Sequence, residues 1–463
     1  MAMHPDRLLP ADPGVRDIAR TLYAEVKDLP IISPHGHVPA QWLADDTAFR
    51  DPTSLLITPD HYVTRLLHAQ GIGLGELGIG RELSADESRA AFRILCDHWP
   101  AFRGTAVQYW LEAQLSDVFG LDMQPGPDTA DAIYDAIGAA LQTPKFRPRA
   151  LYDGFGIEFL ATTDDPADDL RFHRALTDWH GTVAPNFRPD RYLEAGRPNW
   201  AADMQRLGQV ADVDTGTYAG WLAAMESRRA FFKAHGAVST DHSHRDARME
   251  RLPAAEVQRL YSAAQSGRIT QPEADTLRRH FMFEQARMAA DDGLVMTLHP
   301  GVHRNHHAPT HGAFGADVGA DIPVAVEFTD ALQPVLSAFG TAPGFQLVVF
   351  TMDETAYARE LAPLAGFYPS VYVGAPWWFL DSPDAMLRYR SAVTDIAGFT
   401  KTSGFIDDTR AFLSIPARHD MARRRDAAYL AGLVAEHRLA SAEAVEVARA
   451  LVIDNPKRAF RLP

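Results

Sequence analysis

This sequence predicts a distorted (β/α)8 barrel of the TIM type, an α/β fold carrying helical insertions. Three observations predict it. Eight short apolar or β-rich runs are spread along 463 residues. Helical patterns separate most of them, and alternating strands and helices argue for a parallel sheet. Each run also ends in polar residues, and in such barrels the chemistry sits at the C-terminal ends of the strands.

The elements follow in order. The first run, 30–37, is Pro-bounded and apolar. Residues 38–155 then hold helix formers and the aromatics Trp42, Trp99, Tyr109 and Trp110. That stretch is too long for a bare βα unit and predicts a helical insertion packed at the barrel mouth. Runs 156–164 and 182–189 predict strands two and three. A helical excursion over 190–236, with a helix at 218–234, leads to run 237–242. Helices over 254–264 and 271–291 lead to run 293–299. A helix over 325–339 precedes run 346–353, which is followed by run 370–377, a helix over 383–397, and run 404–410. A helix over 441–451 closes the barrel from outside. The expectation is one barrel domain over 1–463, with no internal repeat.

Composition bounds the function. The chain is 46% hydrophobic and carries 45 Lys+Arg against 60 Asp+Glu, a net −15. Such a chain is a poor general binder of nucleic acid or anionic membranes. Its single cysteine, Cys96, permits no internal disulfide and suits a reducing compartment. No stretch approaches the roughly 20 apolar residues of a membrane span, and residues 1–14 lack the apolar core of a signal peptide. A cytoplasmic enzyme acting on a small molecule, with self-association open to so large a barrel, is expected.

The candidate chemistry begins at His35-Gly36-His37. Residues i and i+2 of a strand share a face, so the two imidazoles converge, with Gly36 leaving room between them. Neutral imidazole is the commonest protein ligand for a divalent metal. Asp408 and Arg410 are likewise two apart in the last run. Asp408 would complete a metal site or act as a general base; its bland alternative is a helix cap, and Asp407 is the more natural capping or packing partner. Arg188, Arg304 and Arg410 fall at or near run ends. Arginines converging on a pocket imply an anionic substrate, unless they merely pair with Asp190 or Asp407. Asp241 and His299 also end runs. Trp377 and Trp378 offer a pocket wall and a core residue. His61 and Tyr62 either reach over the mouth as proton donors or simply start a helix. His303, His306, His307 and His311 are irregularly spaced among Pro and Gly and predict a mobile, solvated loop. None of the five lysines (27, 145, 233, 401, 457) ends a run, and no histidine ends the sixth, so one metal is expected rather than two.

These pieces resemble uronate isomerase, a divergent branch of the amidohydrolase superfamily. The resemblance rests on His35-Gly36-His37, Asp60-His61-Tyr62, Thr162-Thr163-Asp164-Asp165-Pro166 and Arg188-Pro189-Asp190. It continues through Asp241-His242, the His299 to Arg304 stretch, Trp377-Trp378-Phe379 and Asp408-Thr409-Arg410-Ala411-Phe412-Leu413-Ser414. Departures are Gly36 where the family often has cysteine, Thr409 where serine is usual, and His306-His307 where an asparagine run is expected. The resemblance implies aldose–ketose isomerisation, of D-glucuronate to D-fructuronate and of D-galacturonate to D-tagaturonate. It implies His35, His37 and Asp408 around one divalent metal, Zn²⁺, loosely held. Asp408 takes the C2 proton, Arg410 and Arg188 hold the carboxylate or enediol oxygens, and Tyr62 and His61 move hydroxyl protons. Asp241, His299 and Arg304 orient hydroxyls, and Trp377 and Trp378 wall the pocket. Two competing readings are a metal-dependent deaminase or lactonase on the same barrel and a non-catalytic sugar-acid binder.

Overall fold

The structure is a computed structural model that describes residues 3–463; Met1 and Ala2, where the expected domain begins, lie outside the described residues. Nine strands form. They are β1 (Ile31–Ser33), β2 (Ile157–Ala161), β3 (Val183–Ala184), β4 (Ser239–His242), β5 (Val295–Leu298), β6 (Val302–His303), β7 (Ile322–Pro323), β8 (Leu347–Val349) and β9 (Val371–Val373). Parallel sheets run β1-β2-β3 and β4-β5-β8-β9, and β6 and β7 form a separate antiparallel pair. Helices cover the connections, giving an α/β architecture of parallel sheets and many helices.

The strands are short for local reasons. Pro30 and Pro34 bracket β1, and proline cannot donate to a ladder. Pro185 follows β3 at once. β5, β8 and β9 are buried along their whole lengths, which is why they read as apolar runs rather than as alternations, whereas β4, equally buried, is the polar Ser-Thr-Asp-His. Beyond the regular ladders, Asp164 bridges Phe187, Phe187 bridges Thr240, and Val373 bridges Thr402, all in parallel. The His37 N–H donates to the Thr409 carbonyl at 3.0 Å. Main-chain bonds therefore continue from one sheet into the other and from the last segment back to the first.

Seven of the eight expected runs contain a strand, and the eighth does not. Its pairing occurs at Thr402, just before the run, and residues 404–409 have no regular structure. Gly404 takes φ +70°, with its α-carbon so close to Pro456 that a Cβ would lie 2.5 Å from the ring. Asp408 then takes φ +40°. Asp408 and Arg410 thus reach the cavity through a bent segment, not through one face of a strand.

The segment 38–155 is helical, with helices including Ala40–Asp45, His61–His68, Ala85–Asp97, Ala106–Ala113 and Ala130–Leu141. Asp60, Ser84 and Thr105 cap three of them by accepting a backbone N–H. Leu95, Trp99 and Trp110 share one hydrophobic cluster with Ile157, Val348 and Phe350 of the strand segments.

One expectation about the connections needs correction, and one helix adds to them. The histidine-containing tract is no open loop: β6 and β7 pair across it, and the helix Ala308–Phe314 lies between them. Buried Asp321 ties the Asn305 N–H at 2.6 Å, and His306 N–H donates to Ala320. The added element is the long helix Ile415–Ala435. It buries Arg418, His419, Arg423, Arg424 and Arg425, so its sequence lacks the apolar stripe that marks a helix. Helix ends shift slightly elsewhere: the 325–339 pattern starts at Thr329, and the 271–291 pattern runs to Asp292 before Gly293 at φ +79°. Among the described residues no helix is long and apolar enough to cross a membrane.

Candidate active site

A cavity of about 970 Å³ opens where the parallel strands end. His35 leaves β1 almost completely buried, at 1% exposure. Its Nδ1 faces the Asn186 side-chain amide at 3.0 Å, and its Nε2 lies 3.3 Å from Asp408 Oδ1. His37 Nε2 reaches the same oxygen at 2.9 Å. His299, at the end of β5, stacks on His35 with ring centroids 4.7 Å apart. His299 Nδ1 lies 2.7 Å from Asp241 Oδ1, and its Nε2 is 4.0 Å from Asp408 Oδ2. Arg188 joins Asp241 at 3.1 Å and Asp190 at 3.2 Å. These contacts link three imidazoles, three carboxylates and one guanidinium contributed by different segments of the chain.

Gly36 needs no special space. A Cβ there would meet Ala161 O at 3.5 Å and Asp407 Oδ1 at 3.6 Å, ordinary van der Waals contacts. The room between the histidines that glycine was expected to supply is not required.

The electrostatics follow from burial opposed by charge. Burial works to raise the Asp408 carboxyl, but His35 and His37 hold it well below the usual carboxylate range. Burial likewise opposes ionisation of Asp241, yet Arg188, His35 and His299 hold it down. The His35 imidazole is raised because Asp408 and Asp241 outweigh its desolvation. His37 and His299 are lowered, chiefly by burial. Asp164, next to the end of β2 on the same cavity, is pushed up to about 7 by burial.

The remaining expected residues border the cavity with definite partners. Arg304 donates to Ser243 Oγ at 2.8 Å and pairs with Asp317 at 3.2 Å. Arg410 pairs with Asp317 at 2.9 Å, not with Asp407, which is buried against His419 Nε2 at 3.0 Å. His61 and Tyr62 do begin a helix, and both also line the cavity. The Tyr62 hydroxyl donates to Asp381 Oδ2 at 2.9 Å, and Arg418 donates to the same carboxylate at 2.8 Å. Burial pushes His61 down to about 3, so its ring is neutral. Trp377 and Trp378 are buried and both line the cavity, with Trp378 at φ +25°.

For a cation, one donor atom from each of His35, His299 and Asp408 lies within 4.8 Å of the others. His299 Nε2 is buried and lacks a hydrogen-bond partner, and Asp408 Oδ1 is met only by the two imidazole nitrogens of His35 and His37, which suits a cation among them. His299 therefore enters the set expected from His35, His37 and Asp408, while His37 contacts it through Asp408. Sequence reasoning missed Asp317, Asp381, Arg418 and Asn186. Only Asp317 had a local signal, since it lies in the tract with Arg304.

This is the site of an acid–base enzyme: an α/β scaffold presents ionised carboxylates, imidazoles and guanidinia to a cavity sized for a small molecule. A family model for glucuronate isomerase matches residues 14–460, and the chain belongs to that family. It is 53% identical to a uronate isomerase of Cutibacterium acnes, covering 100% of this chain and 99% of that protein. Among solved structures, a glucuronate isomerase from Caulobacter crescentus matches with a TM-score of 0.97 at 44% identity, over 100% of this chain and 97% of that one. A uronate isomerase from Thermotoga maritima matches with a TM-score of 0.93 at 28% identity, over 99% and 100%.

Proposed function

We propose that this chain interconverts D-glucuronate and D-fructuronate, and D-galacturonate and D-tagaturonate, by moving a proton between C2 and C1 through an enediol. One observation carries the reading. The deeply placed Asp408 carboxylate is kept ionised by two imidazoles, in a cavity whose more exposed border bears Arg188, Arg304 and Arg410. A uronate has an acidic C2–H beside its C1 aldehyde and a carboxylate at the far end. That pattern matches a base and guanidinia lining one cavity.

In the forward direction Asp408 takes the C2 proton while the C1 oxygen gains one, giving the enediol. The O2 proton then leaves and C1 is protonated, giving the ketose. His61 and Tyr62 serve the hydroxyl protons, and Tyr62 is oriented for this by Asp381. Arg188 and Arg410 hold the carboxylate or the enediol oxygens, which carry developing charge. Asp241, His299 and Arg304 orient hydroxyls, and Trp377 and Trp378 wall the cavity. A divalent cation held by His35, His37 or His299, and Asp408, most naturally Zn²⁺, would supply Lewis acidity toward the substrate oxygens.

The same reading joins the two parallel sheets into one distorted (β/α)8 barrel. The bridges at Phe187 and Thr402 and the bond from His37 to Thr409 support it. Residues 38–155 then cover the mouth of that barrel, and a reducing cytoplasm suits the single buried thiol of Cys96. Proton NMR in D₂O with each uronate tests the chemistry. Formation of the ketose, with deuterium entering through the enediol, is expected. No ketose and no C2 exchange, with and without added Zn²⁺, would refute it.

A further inference from the structure

Arg188 touches two carboxylates, and the second, Asp190, borders the same cavity but has no part in the cation set or proton transfers described above. Its Nη1 meets Asp241, while its Nε donates to Asp190 Oδ2. Around Asp190 lies a second convergence of donors. One atom from each of Asp190, His242 and His244 lies within 4.8 Å of the others. His242 is 1% and His244 is 4% exposed. Asp190 Oδ1 and His244 Nε2 are buried and face each other at 3.3 Å without hydrogen-bond geometry, and His242 Nδ1 is buried with no partner. Buried polar atoms without hydrogen bonds are rare and costly, and their convergence from three neighbouring residues points to an occupant.

The opposite nitrogens of both rings are engaged. His244 Nδ1 lies 2.6 Å from Glu194 Oε1, and His242 Nε2 lies 3.1 Å from Thr240 Oγ1. A carboxylate on the far nitrogen fixes the tautomer of a metal-bound histidine and raises its basicity. Donors roughly 2.0–2.1 Å from a tetrahedral ion lie about 3.3 Å apart. His244 Nε2 and Asp190 Oδ1 already stand at 3.3 Å. Two imidazoles and one carboxylate suit Zn²⁺ or Co²⁺ rather than the harder Mg²⁺ or Ca²⁺.

We propose that Asp190, His242 and His244 form a second divalent-cation site, separated from the first by the Arg188 guanidinium and supported by Glu194. The proposal is independent of the isomerase chemistry, since it concerns binding alone. It implies that the one metal expected from the absence of lysine and sixth-run histidine undercounts the protein's capacity.

The test is equilibrium dialysis of the metal-depleted full chain against Co²⁺, read by metal content and by the visible absorption of tetrahedral cobalt. Asp408→Asn weakens the first site and is expected to retain one Co²⁺ per chain with that absorption. Adding His244→Gln is expected to abolish it, with circular dichroism checking that the protein is folded. Glu194→Gln keeps all three donors and removes only the carboxylate behind His244, and is expected to weaken this cobalt by ten- to a hundredfold. The proposal falls if Asp408→Asn holds no Co²⁺. It falls equally if the bound cobalt is unmoved by His244→Gln or by Glu194→Gln, which would leave the three atoms to an ordered water.

Discussion

Replacing Asp164 by asparagine should stabilise the protein at alkaline pH and do so progressively less as the pH falls. Asp164 Oδ2 accepts from Thr162 Oγ1 at 2.6 Å and from the Asn186 N–H at 3.2 Å. Its side chain is only 13% exposed. Burial lifts its pKa from 3.8 to about 7. Between those values the unfolded chain has lost the proton and the folded chain keeps it, so stability falls as pH rises through the window and is level above it. Roughly three units at 1.36 kcal/mol each give a penalty of up to ~4 kcal/mol above neutrality, of which about 2–3 kcal/mol accrues above about pH 5. Asparagine carries no charge, and its single carbonyl oxygen can accept both hydrogen bonds. Urea unfolding followed by circular dichroism at about pH 5 and about pH 8 measures the difference. Asp164→Asn should gain ~2–4 kcal/mol at the higher pH and lose most of that advantage at the lower. An advantage independent of pH, or a loss at the higher pH, would refute the argument that burial sets this carboxyl.

Three further outcomes are expected. Asp408→Asn should lower kcat for uronate isomerisation by roughly 10²–10⁴-fold, the usual contribution of a positioned base, with the far-ultraviolet dichroism unchanged; near-normal turnover at unchanged metal content would assign the base elsewhere. Gly36→Ala should change unfolding free energy by less than about 1 kcal/mol, because the added methyl meets only ordinary contacts; a large loss in a denaturant titration would contradict the geometry. Gly220→Ala should cost roughly 1–3 kcal/mol or more, or abolish soluble expression, since its Cβ would fall 1.7 Å from the Asp214 carbonyl oxygen and both positions are backbone. A melting temperature equal to that of the parent would show that the turn before the helix Tyr218–Ala234 can move.

Legibility from sequence tracked the range of the interactions involved. His35 and His37 were readable because an apolar run bounded by prolines marks a strand end on its own. The helices of 38–155 were readable in outline from their aromatics and helix formers. Asp381 was not, because it becomes functional only through Tyr62, 319 residues away in the chain. Asp317 meets Arg410 across 93 residues, and the local alternative, Asp407, turned out to serve His419. The helix Ile415–Ala435 was hidden by its buried arginines, whose charges are satisfied by carbonyls and carboxylates distant in sequence. The last run failed as a strand because Gly404 and Asp408 bend the chain, which hydrophobic periodicity does not register.

The positive φ of Asp408 has company. Among the described residues eleven non-glycine residues take positive φ, and four of them, Asn305, Asp317, Trp378 and Asp408, line the one cavity. Each such conformation costs on the order of 1–3 kcal/mol and persists only where its surroundings over-determine it. The rim is therefore a tensioned part of the molecule, kept in shape by the packing beneath it and not by its own preferences. Anything that loosens that packing, whether heat, denaturant or a distant core substitution, releases the rim first, so catalytic competence should fade while the bulk of the fold still stands.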